Sequence, residues 1–301
     1  SEGFPQSQVN RIIGAMFDAG INLIDTAYIY GGGDGQSEIS IGKALGKKRK
    51  DVILVTKGGH YVAKYDPPSV GAPSRRYLVR EVEISLKRLN NDYIDVYMWH
   101  MGNSIPPHEM LRAMDDLVKS GKVLYIGGSN TPAWKLGVAS EYARNHGKNP
   151  IVLEQSGYSM LNRSCELDRI PCCLEYGISF MPHRALQSGF LAGRYKKGEP
   201  MPPDTRAGRY AWCKLNVDRI ATDENWEILE QIKQVAEEIG IPLQDLALAW
   251  LLHQPAVDTV LVGASRPEQV TANAKAADVK LCSDVLARLD EILGIDRNRR
   301  I

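Results

Sequence analysis

The sequence predicts an α/β fold in which strands and helices alternate to form a (β/α)8 barrel, with residues 1–301 in a single domain. Three observations support this prediction. Short apolar runs alternate with helical patterns along the whole chain, and polar residues stand at the ends of these runs. No glycine-rich dinucleotide turn follows the first run, so a doubly wound parallel sheet is the second choice.

Seven short apolar runs are predicted to be strands. They cover residues 22–24, 52–56, 93–99, 123–128, 151–153, 178–182 and 259–262. Polar side chains end six of these runs or follow them closely, namely Asp25, Lys57, His100, Asn130, Gln155 and His183. Because the carboxyl ends of barrel strands open on one face, these side chains are predicted to converge on one pocket.

The predicted helices lie between the runs, where apolar residues recur at spacings of three and four. The first helix carries Val9, Ile12 and Met16 and ends near Gly20, which suits a C-terminal cap. Similar stripes cover residues 78–89, 110–118, 132–142 and 226–239, and a further helix opens at residue 242. A helix therefore precedes the first predicted strand.

Two regions depart from this alternation. Residues 196–225 contain Pro200, Pro202 and Pro203 and show little periodicity, so this stretch is predicted to be a functional lid. No apolar run precedes the first helix, so the usual first strand of the barrel is not evident. Because an open barrel exposes backbone groups at two edges, we expect that strand to belong to a longer natural chain, to be disordered or to be replaced.

Composition limits the classes of function. The net charge is +1 and the basic residues are scattered, so no electrostatic footprint for nucleic acid or an anionic membrane is present. The five cysteines lack a C-x-x-C spacing, which indicates reduced thiols and no zinc site. Without a signal peptide or a membrane-spanning run in the sequence, we expect a cytoplasmic protein with small-molecule partners. The sequence leaves a homo-oligomer open.

The candidate catalytic residues follow the first three predicted strands. Asp25 opens the segment D-T-A-Y-I-Y-G, in which Tyr30 lies on a glycine-rich loop. Lys57 closes a buried run and requires a partner, for which Asp25 is the natural choice. An ammonium beside a phenol favours the phenolate, so Tyr30 is predicted to donate a proton while His100 orients the substrate oxygen. Helix capping by Asp25 and structural roles for Tyr30 and His100 are the alternatives.

Five motifs occur in a fixed order between the first helix and about Ala276. They are D-T-A-Y-I-Y-G, T-K, K-S-G-K-V-L-Y-I-G-G-S-N, E-Q and G-A-S-R-P-E-Q-V. Together they resemble the aldo-keto reductase family, and in particular its bacterial and fungal branch of aryl-alcohol dehydrogenases and keto-sugar reductases. The resemblance implies a (β/α)8 barrel and a catalytic tetrad formed by Asp25, Tyr30, Lys57 and His100.

The same resemblance implies a nicotinamide cofactor and the residues that bind it. Contacts with the nicotinamide carboxamide are implied for Ser129, Asn130 and Gln155, beside Asp25. The adenosine 2′-phosphate site is implied for Ser265, Arg266, Gln269 and Asn273, near Gly263. Further cofactor contacts are implied for His183, Arg184, Leu186, Ser188 and Arg194.

The turn from Gly263 to Pro267 favours a bound phosphate on physical grounds as well. A phosphate prefers backbone N–H groups at a helix amino end, and proline suits the first helical turn. Arg266 adds a forked cation, which favours NADPH over NADH. A solvated arginine on an ordinary helix cap is the alternative.

The chain departs from the family pattern in three places. His183-Arg184-Ala185-Leu186 stands where much of the family has an aromatic residue followed by S-P-L, so an imidazole replaces the ring that stacks on the nicotinamide. Ala272 stands where many relatives have a glutamate that touches the adenine. The third departure is that the first strand, from which relatives contribute cofactor and substrate contacts, is not evident in this sequence.

These features predict an NADPH-dependent enzyme that reversibly reduces an aldehyde or ketone, of aryl aldehyde or keto-sugar type, without a metal. Candidate substrate contacts are Tyr28, Tyr30, His60, Trp99, His100 and the 196–225 stretch. Core packing is the alternative for Tyr28 and Trp99. Two other functions stay open, namely catalysis without net redox change, by epimerisation or elimination, and a cofactor-binding regulatory subunit.

Overall fold

A computed structural model describes residues 4–31, 34–59, 74–100 and 105–294. The strands are β1 (Leu23–Asp25), β2 (Ile53–Gly58), β3 (Ile94–His100), β4 (Val123–Ser129), β5 (Ile151–Gly157) and β6 (Ser179–His183). The α-helices are α1 (Gln6–Asp18), α2 (Gln36–Leu45), α3 (Arg75–Leu89), α4 (Pro107–Lys119), α5 (Ala133–His146), α6 (Arg169–Tyr176), α7 (Arg206–Arg209), α8 (Ala211–Ile220), α9 (Asp223–Glu238), α10 (Leu243–Leu252), α11 (Pro267–Ala274) and α12 (Ser283–Ile292). Within the described ranges, no helix has the length and hydropathy needed to cross a membrane.

The six strands form one sheet in the order β1-β2-β3-β4-β5-β6, and the neighbouring strands from β1 to β5 pair in parallel. One helix separates each strand from the next, as predicted, because parallel neighbours need a crossover connection. The prediction of a seventh strand at 259–262 is wrong. Leu261 N donates one hydrogen bond to Pro182 O at 3.0 Å, and a single bond does not make a strand ladder.

The described residues fall into two compact units, and the first comprises Ser1–Ser156, Asp168–Phe180 and Ala264–Thr271. Helix α3 shows how this unit forms its core. Ser74 Oγ caps the helix by accepting from Tyr77 N at 3.3 Å. Leu78, Val82 and Leu86 recur every four residues and are buried on one face, where each side chain contributes about 1.5–3 kcal/mol of hydrophobic stabilisation.

The second unit comprises Gly157–Leu167, Met181–Gly263 and Ala272–Ile301. Its core contains the fully buried side chains of Phe190, Ile232 and Trp250. The ring of Phe190 lies 4.6 Å from that of Trp226, a distance typical of packed aromatic pairs. Aromatic packing between α9 and the segment after β6 therefore contributes to the core of this unit.

The prediction of an irregular stretch holds for residues 196–205 and is wrong for residues 206–225, where α7, α8 and the start of α9 lie. The role of the stretch as a lid stays a prediction. Thr205 Oγ1 caps α7 by accepting from Gly208 N at 3.1 Å. Cys213 and Val217 on α8 are fully buried, so the segment contributes to the core of the second unit. Neither helix shows a clear apolar stripe, because α7 has only four residues and α8 carries exposed apolar side chains, at Trp212 and Leu215, beside its buried ones.

Candidate active site

A buried ion pair lies where β1 and β2 end. Residue Asp25 pairs with Val55 in the parallel register, and Tyr28 N donates to Lys57 O at 3.0 Å, so the two chains stay side by side past the strand ends. The Lys57 ammonium donates to both carboxylate oxygens of Asp25 at 2.7 and 2.6 Å and to Thr26 O at 2.8 Å. Its three protons match these three acceptors. Lys57 is fully buried, and the pair with Asp25 satisfies its charge there.

Two rings complete the predicted catalytic group. The Tyr30 ring centroid lies 5.1 Å from Lys57 Nζ, and the Tyr30 and His100 rings meet edge to face with centroids 6.1 Å apart. His100 is the last residue of β3 and is buried. The structure therefore brings all four predicted catalytic residues into one cluster that contains a cation, a carboxylate, a phenol and an imidazole.

The candidate nicotinamide-binding residues adjoin this cluster through the strand register. His100 pairs with Ser129 on β4, and Ser129 pairs with Gln155 on β5. The Gln155 side-chain amide donates to Asp25 Oδ1 at 2.8 Å, and its backbone carbonyl accepts from Asn130 N at 2.8 Å. The polar strand ends of the first unit thus converge, as a parallel sheet requires.

The loop that carries Tyr30 is held by residues that were not predicted from the sequence. Arg88 on α3 donates to Tyr28 O and to Glu38 Oε2, both at 3.3 Å, and its guanidinium lies 4.6 Å from the Tyr28 ring centroid. At Gly35, with φ 73°, a Cβ would lie 2.3 Å from that guanidinium. Burial raises the pKa of the Glu38 carboxyl. The sequence signal for this contact is that an acid, Glu38, and a base, Arg88, each stand among the apolar residues of a helix. Charges that are buried in this way usually pair.

A second buried acid supports the end of β2. Glu81 on α3 is fully buried, and its carboxylate accepts a hydrogen bond from Gly59 N. A Cβ at Gly58 would lie 1.8 Å from the Tyr97 hydroxyl and 2.6 Å from Glu81 Oε2, so only glycine fits there. Burial, with the charge of Glu81, raises the pKa of Tyr97 well above its usual value. Glu81 and Tyr97 therefore hold the backbone of Gly58 and Gly59, next to Lys57, in place.

The candidate phosphate turn is capped by its own helix. Gln269 Oε1 on α11 accepts from Ser265 N at 2.8 Å, Ser265 Oγ at 3.0 Å and Arg266 N at 3.2 Å. Gln8 on α1 donates to Ser265 O at 2.6 Å. The turn lines a cavity of about 430 Å³ with residues 5, 7, 8 and 11, and Arg266 is exposed there. Three donors that converge on one oxygen are the arrangement that an anion requires.

The remaining candidate cofactor residues lie in the second unit. Within the segment after β6, Arg184, Gln187 and Ser188 have φ values of 58°, 46° and 59°. Such conformations are costly for residues other than glycine and cluster at functional loops. Tyr195 Oη donates to Ser188 O at 2.7 Å, and Arg194 pairs with Asp204 at 2.7 Å.

Four further residues of this unit were predicted as cofactor contacts. His183 O accepts from Tyr158 N at 3.2 Å, and Asn273 Oδ1 accepts from Gln244 Nε2 at 3.5 Å. Leu186 precedes the 3-10 segment Gln187–Ala192, and Gly263 is exposed. Their side-chain roles toward a cofactor stay predictions.

The predicted substrate contacts are placed as follows. Tyr28 is buried beneath the Arg88 guanidinium, a contact that favours the packing interpretation. Trp99 is buried at the end of β3, and its indole Nε1 donates to Thr131 Oγ1 at 3.0 Å. His60 lies outside the described residues.

Comparison with known proteins identifies the family to which this arrangement belongs. A sequence model described as the Aldo/keto reductase family matches residues 1–294. The chain belongs to the aldo/keto reductase family. It is an NAD(P)H-dependent oxidoreductase of the (β/α)8 fold class, and the order of strands and helices up to β6 agrees with that class. The predictions of family and fold class are confirmed.

Similar proteins carry two kinds of name. The chain is 34% identical to a candidate voltage-gated potassium channel subunit beta of Schizosaccharomyces pombe, over 98% of this chain and 86% of that protein. It is 33% identical to an uncharacterized oxidoreductase of Bacillus subtilis, over 94% and 86%. It is 30% identical to an aryl-alcohol dehydrogenase of Pestalotiopsis microspora, over 95% and 72%.

Proposed function

We propose that this protein uses NADPH to reduce an aldehyde or ketone, of aryl aldehyde or keto-sugar type, reversibly to an alcohol, with Tyr30 as the proton donor. The observation that supports this most strongly is the buried Asp25–Lys57 pair, whose ammonium lies 5.1 Å from the Tyr30 ring centroid. A cation at this position stabilises the phenolate that remains after Tyr30 donates its proton.

Each residue of the cluster has a distinct part in the proposed chemistry. Asp25 keeps Lys57 charged in a buried site, and Lys57 stabilises the developing phenolate of Tyr30. His100 lies edge to face with Tyr30 and orients the carbonyl oxygen that receives the proton. When bound, the nicotinamide cofactor supplies the hydride for the carbonyl carbon.

The residues that would hold the cofactor fit its chemistry. Ser129, Asn130 and Gln155 offer hydroxyl and amide groups suited to a carboxamide beside Asp25. The Ser265 and Arg266 amides already converge on a single acceptor oxygen, which suits a phosphate oxygen. Additional contacts are proposed for His183, Arg184, Leu186, Ser188, Arg194, Gly263, Gln269 and Asn273. We further propose a cytoplasmic protein in which residues 1–301 form one domain.

Cofactor absorbance tests the proposal. Purified protein is mixed with NADPH and a panel of aryl aldehydes, aliphatic aldehydes and keto-sugars, and the loss of reduced cofactor is followed at several pH values. Substrate-dependent oxidation of NADPH, with the alcohol found by product analysis, supports the proposal. Cofactor binding without oxidation for any member of the panel contradicts it.

A cofactor-binding regulatory subunit is the second candidate. It is supported by the relatives named as potassium channel beta subunits, which match over 95% or more of this chain. The same panel separates the two functions, because a regulatory subunit binds NADPH and releases it unchanged. The Asp25–Lys57 pair beside Tyr30 favours the enzyme. A protein that only binds the cofactor does not need a cation beside a proton donor.

A further inference from the structure

A buried chain of hydrogen bonds joins Trp99 to Glu154 through Thr131. Trp99 Nε1 donates to Thr131 Oγ1 at 3.0 Å, and Thr131 N donates to Glu154 Oε1 at 2.9 Å. Ser156 Oγ donates to the same carboxylate oxygen at 2.6 Å. Glu154 is fully buried, and Trp99 and Thr131 are nearly so. Because an indole N–H can only donate, the orientation of Trp99 depends on the Thr131 oxygen.

Gly128 provides the space in which these side chains meet. It pairs with Trp99 on β3 and with Glu154 on β5. A Cβ at Gly128 would lie 2.4 Å from Thr131 Oγ1, 2.7 Å from Glu154 Oε2 and 2.9 Å from Trp99 Cζ2. The three side chains therefore converge over one glycine, which brings Thr131 close to both the indole and the carboxylate.

The same carboxylate holds the turn that carries the proposed carboxamide contacts. Asn130 N donates to Gln155 O at 2.8 Å, and Thr131 N donates to Glu154. Two consecutive amides of the turn are thus fixed by two consecutive residues of β5, one through its backbone and one through an ionisable side chain. Asn130 has φ 54°, an uncommon conformation outside glycine that these bonds help to maintain.

We infer that Glu154 is a positioning residue that acts through Thr131, setting the Asn130 turn and the Trp99 indole according to whether its carboxyl carries a proton. The consequence for cofactor affinity rests on the proposed function. The consequence for the indole does not, because it depends on the hydrogen bonds alone.

The carboxyl changes charge within the physiological range. Burial raises the pKa of Glu154 to about 7, because desolvation outweighs the hydrogen bonds from Ser156 and Thr131 and the attraction of Arg169. Among the described residues, Arg169 and Cys172 on α6 interact electrostatically with the Glu154 carboxyl. His100 follows Trp99 on β3 and is a second titratable group near the indole.

The first test follows the indole N–H of Trp99 by ¹⁵N NMR between pH 5.5 and 8.5, with the signal assigned by Trp99→Phe. We expect a titration with a midpoint near 7 in the parent, a flat signal in Glu154→Gln, and an equally flat signal in Thr131→Val, which keeps the carboxylate but removes the link. The exposed Trp212 indole is the internal control.

A flat parent signal overturns the inference, as does a titration that persists in Glu154→Gln, because that titration belongs to His100. Thr131→Val decides the matter alone if Glu154→Gln does not fold.

The second test measures NADPH affinity of the same proteins by fluorescence. A protonated carboxyl resembles a carboxamide, so Glu154→Gln is expected to match the parent at pH 6 and to bind about tenfold more weakly at pH 8.5, where the parent turn is held by a charge-assisted bond. Equal affinities at both pH values overturn the link to the turn. If the parent binds no NADPH, the proposed function fails, and the NMR titration still judges the link to Trp99.

Discussion

The candidate catalytic cluster, formed by Asp25, Tyr30, Lys57 and His100, and the candidate phosphate turn, from Gly263 to Pro267, differ in how their polar groups are satisfied. Lys57 is fully buried, and its partners come from a neighbouring strand and from the loop that follows it. Arg266 is exposed, and the amides of its turn bond to Gln269, only three or four residues away. The first site is built by tertiary structure, whereas the second is built by one local turn.

This difference has a consequence for ligand binding. The Asp25–Lys57 pair is ready for its proposed chemistry without rearrangement, because the charge is already desolvated and paired. In the candidate phosphate turn, the donors bond to the Gln269 oxygen, which a phosphate oxygen would have to replace under the proposed function. Substitutions in the cluster are therefore expected to change catalysis strongly, and substitutions in the turn to change cofactor choice and affinity.

Lys57→Met is expected to have the largest effect among the substitutions that test this difference. It removes the cation that stabilises the phenolate, so activity falls by about 10²- to 10⁴-fold. It also leaves the Asp25 carboxylate without its cation, at a cost of up to about 3–5 kcal/mol in unfolding free energy. Steady-state kcat/KM and chemical denaturation measure the two effects.

Lys50→Met is the matched control for this substitution. Lys50 is exposed, so its replacement is expected to leave both kcat/KM and stability within error of the parent. Full activity in Lys57→Met removes Lys57 from the mechanism and removes the contrast between the two regions.

Arg266→Ala is expected to have the next largest effect. A charge-assisted bond to a phosphate is worth about 1.5–3 kcal/mol, so NADPH binding weakens about tenfold to a hundredfold while NADH binding is unchanged. Fluorescence titration with both cofactors measures this, and Arg219→Ala, at an exposed position on α8, is the control. Equal weakening of both cofactors assigns Arg266 to a group that they share. No weakening of either cofactor shows a solvated side chain.

Substitution of Gln269 has the smallest expected effect. Gln269→Ala removes the cap on Ser265 and Arg266, which lowers the stability of the unliganded protein by about 1 kcal/mol and changes NADPH affinity by less than about tenfold. Gln269→Glu keeps the acceptor and adds a negative charge, so it retains stability but weakens NADPH more than NADH. Thermal melts with and without each cofactor measure both variants. Unchanged melting of the unliganded Ala variant contradicts the capping role.

The sequence predicted the parts of the site that depend on local pattern. A polar residue after an apolar run identified the strand ends at His100 and Gln155, and the parallel register brings both beside Ser129, which the family resemblance implied. The pairing of Lys57 with Asp25 was predictable because a buried lysine needs an anion. These inferences require neighbouring parallel strands, which the barrel prediction supplies.

The parts that were missed depend on contacts distant in sequence or on competition between partners. Residues 259–262 have the composition of a strand, but one bond from Leu261 does not pair them into the sheet. Glu154 directly follows an apolar run, and its partner Thr131 lies in a turn 23 residues earlier, so no local pattern reveals their contact. At Ser265 the same donors suit a ligand or a side chain, so the capping by Gln269 was not foreseeable.

Tyr30→Phe tests the central claim most directly, because it deletes one hydroxyl and leaves the Asp25–Lys57 pair intact. NADPH oxidation with the best substrate of the panel and NADPH fluorescence titration are measured on the same preparation. Turnover is expected to fall at least about 100-fold, while cofactor affinity stays within about twofold of the parent. Turnover close to that of the parent contradicts proton donation by Tyr30, since the proton would then come from another group.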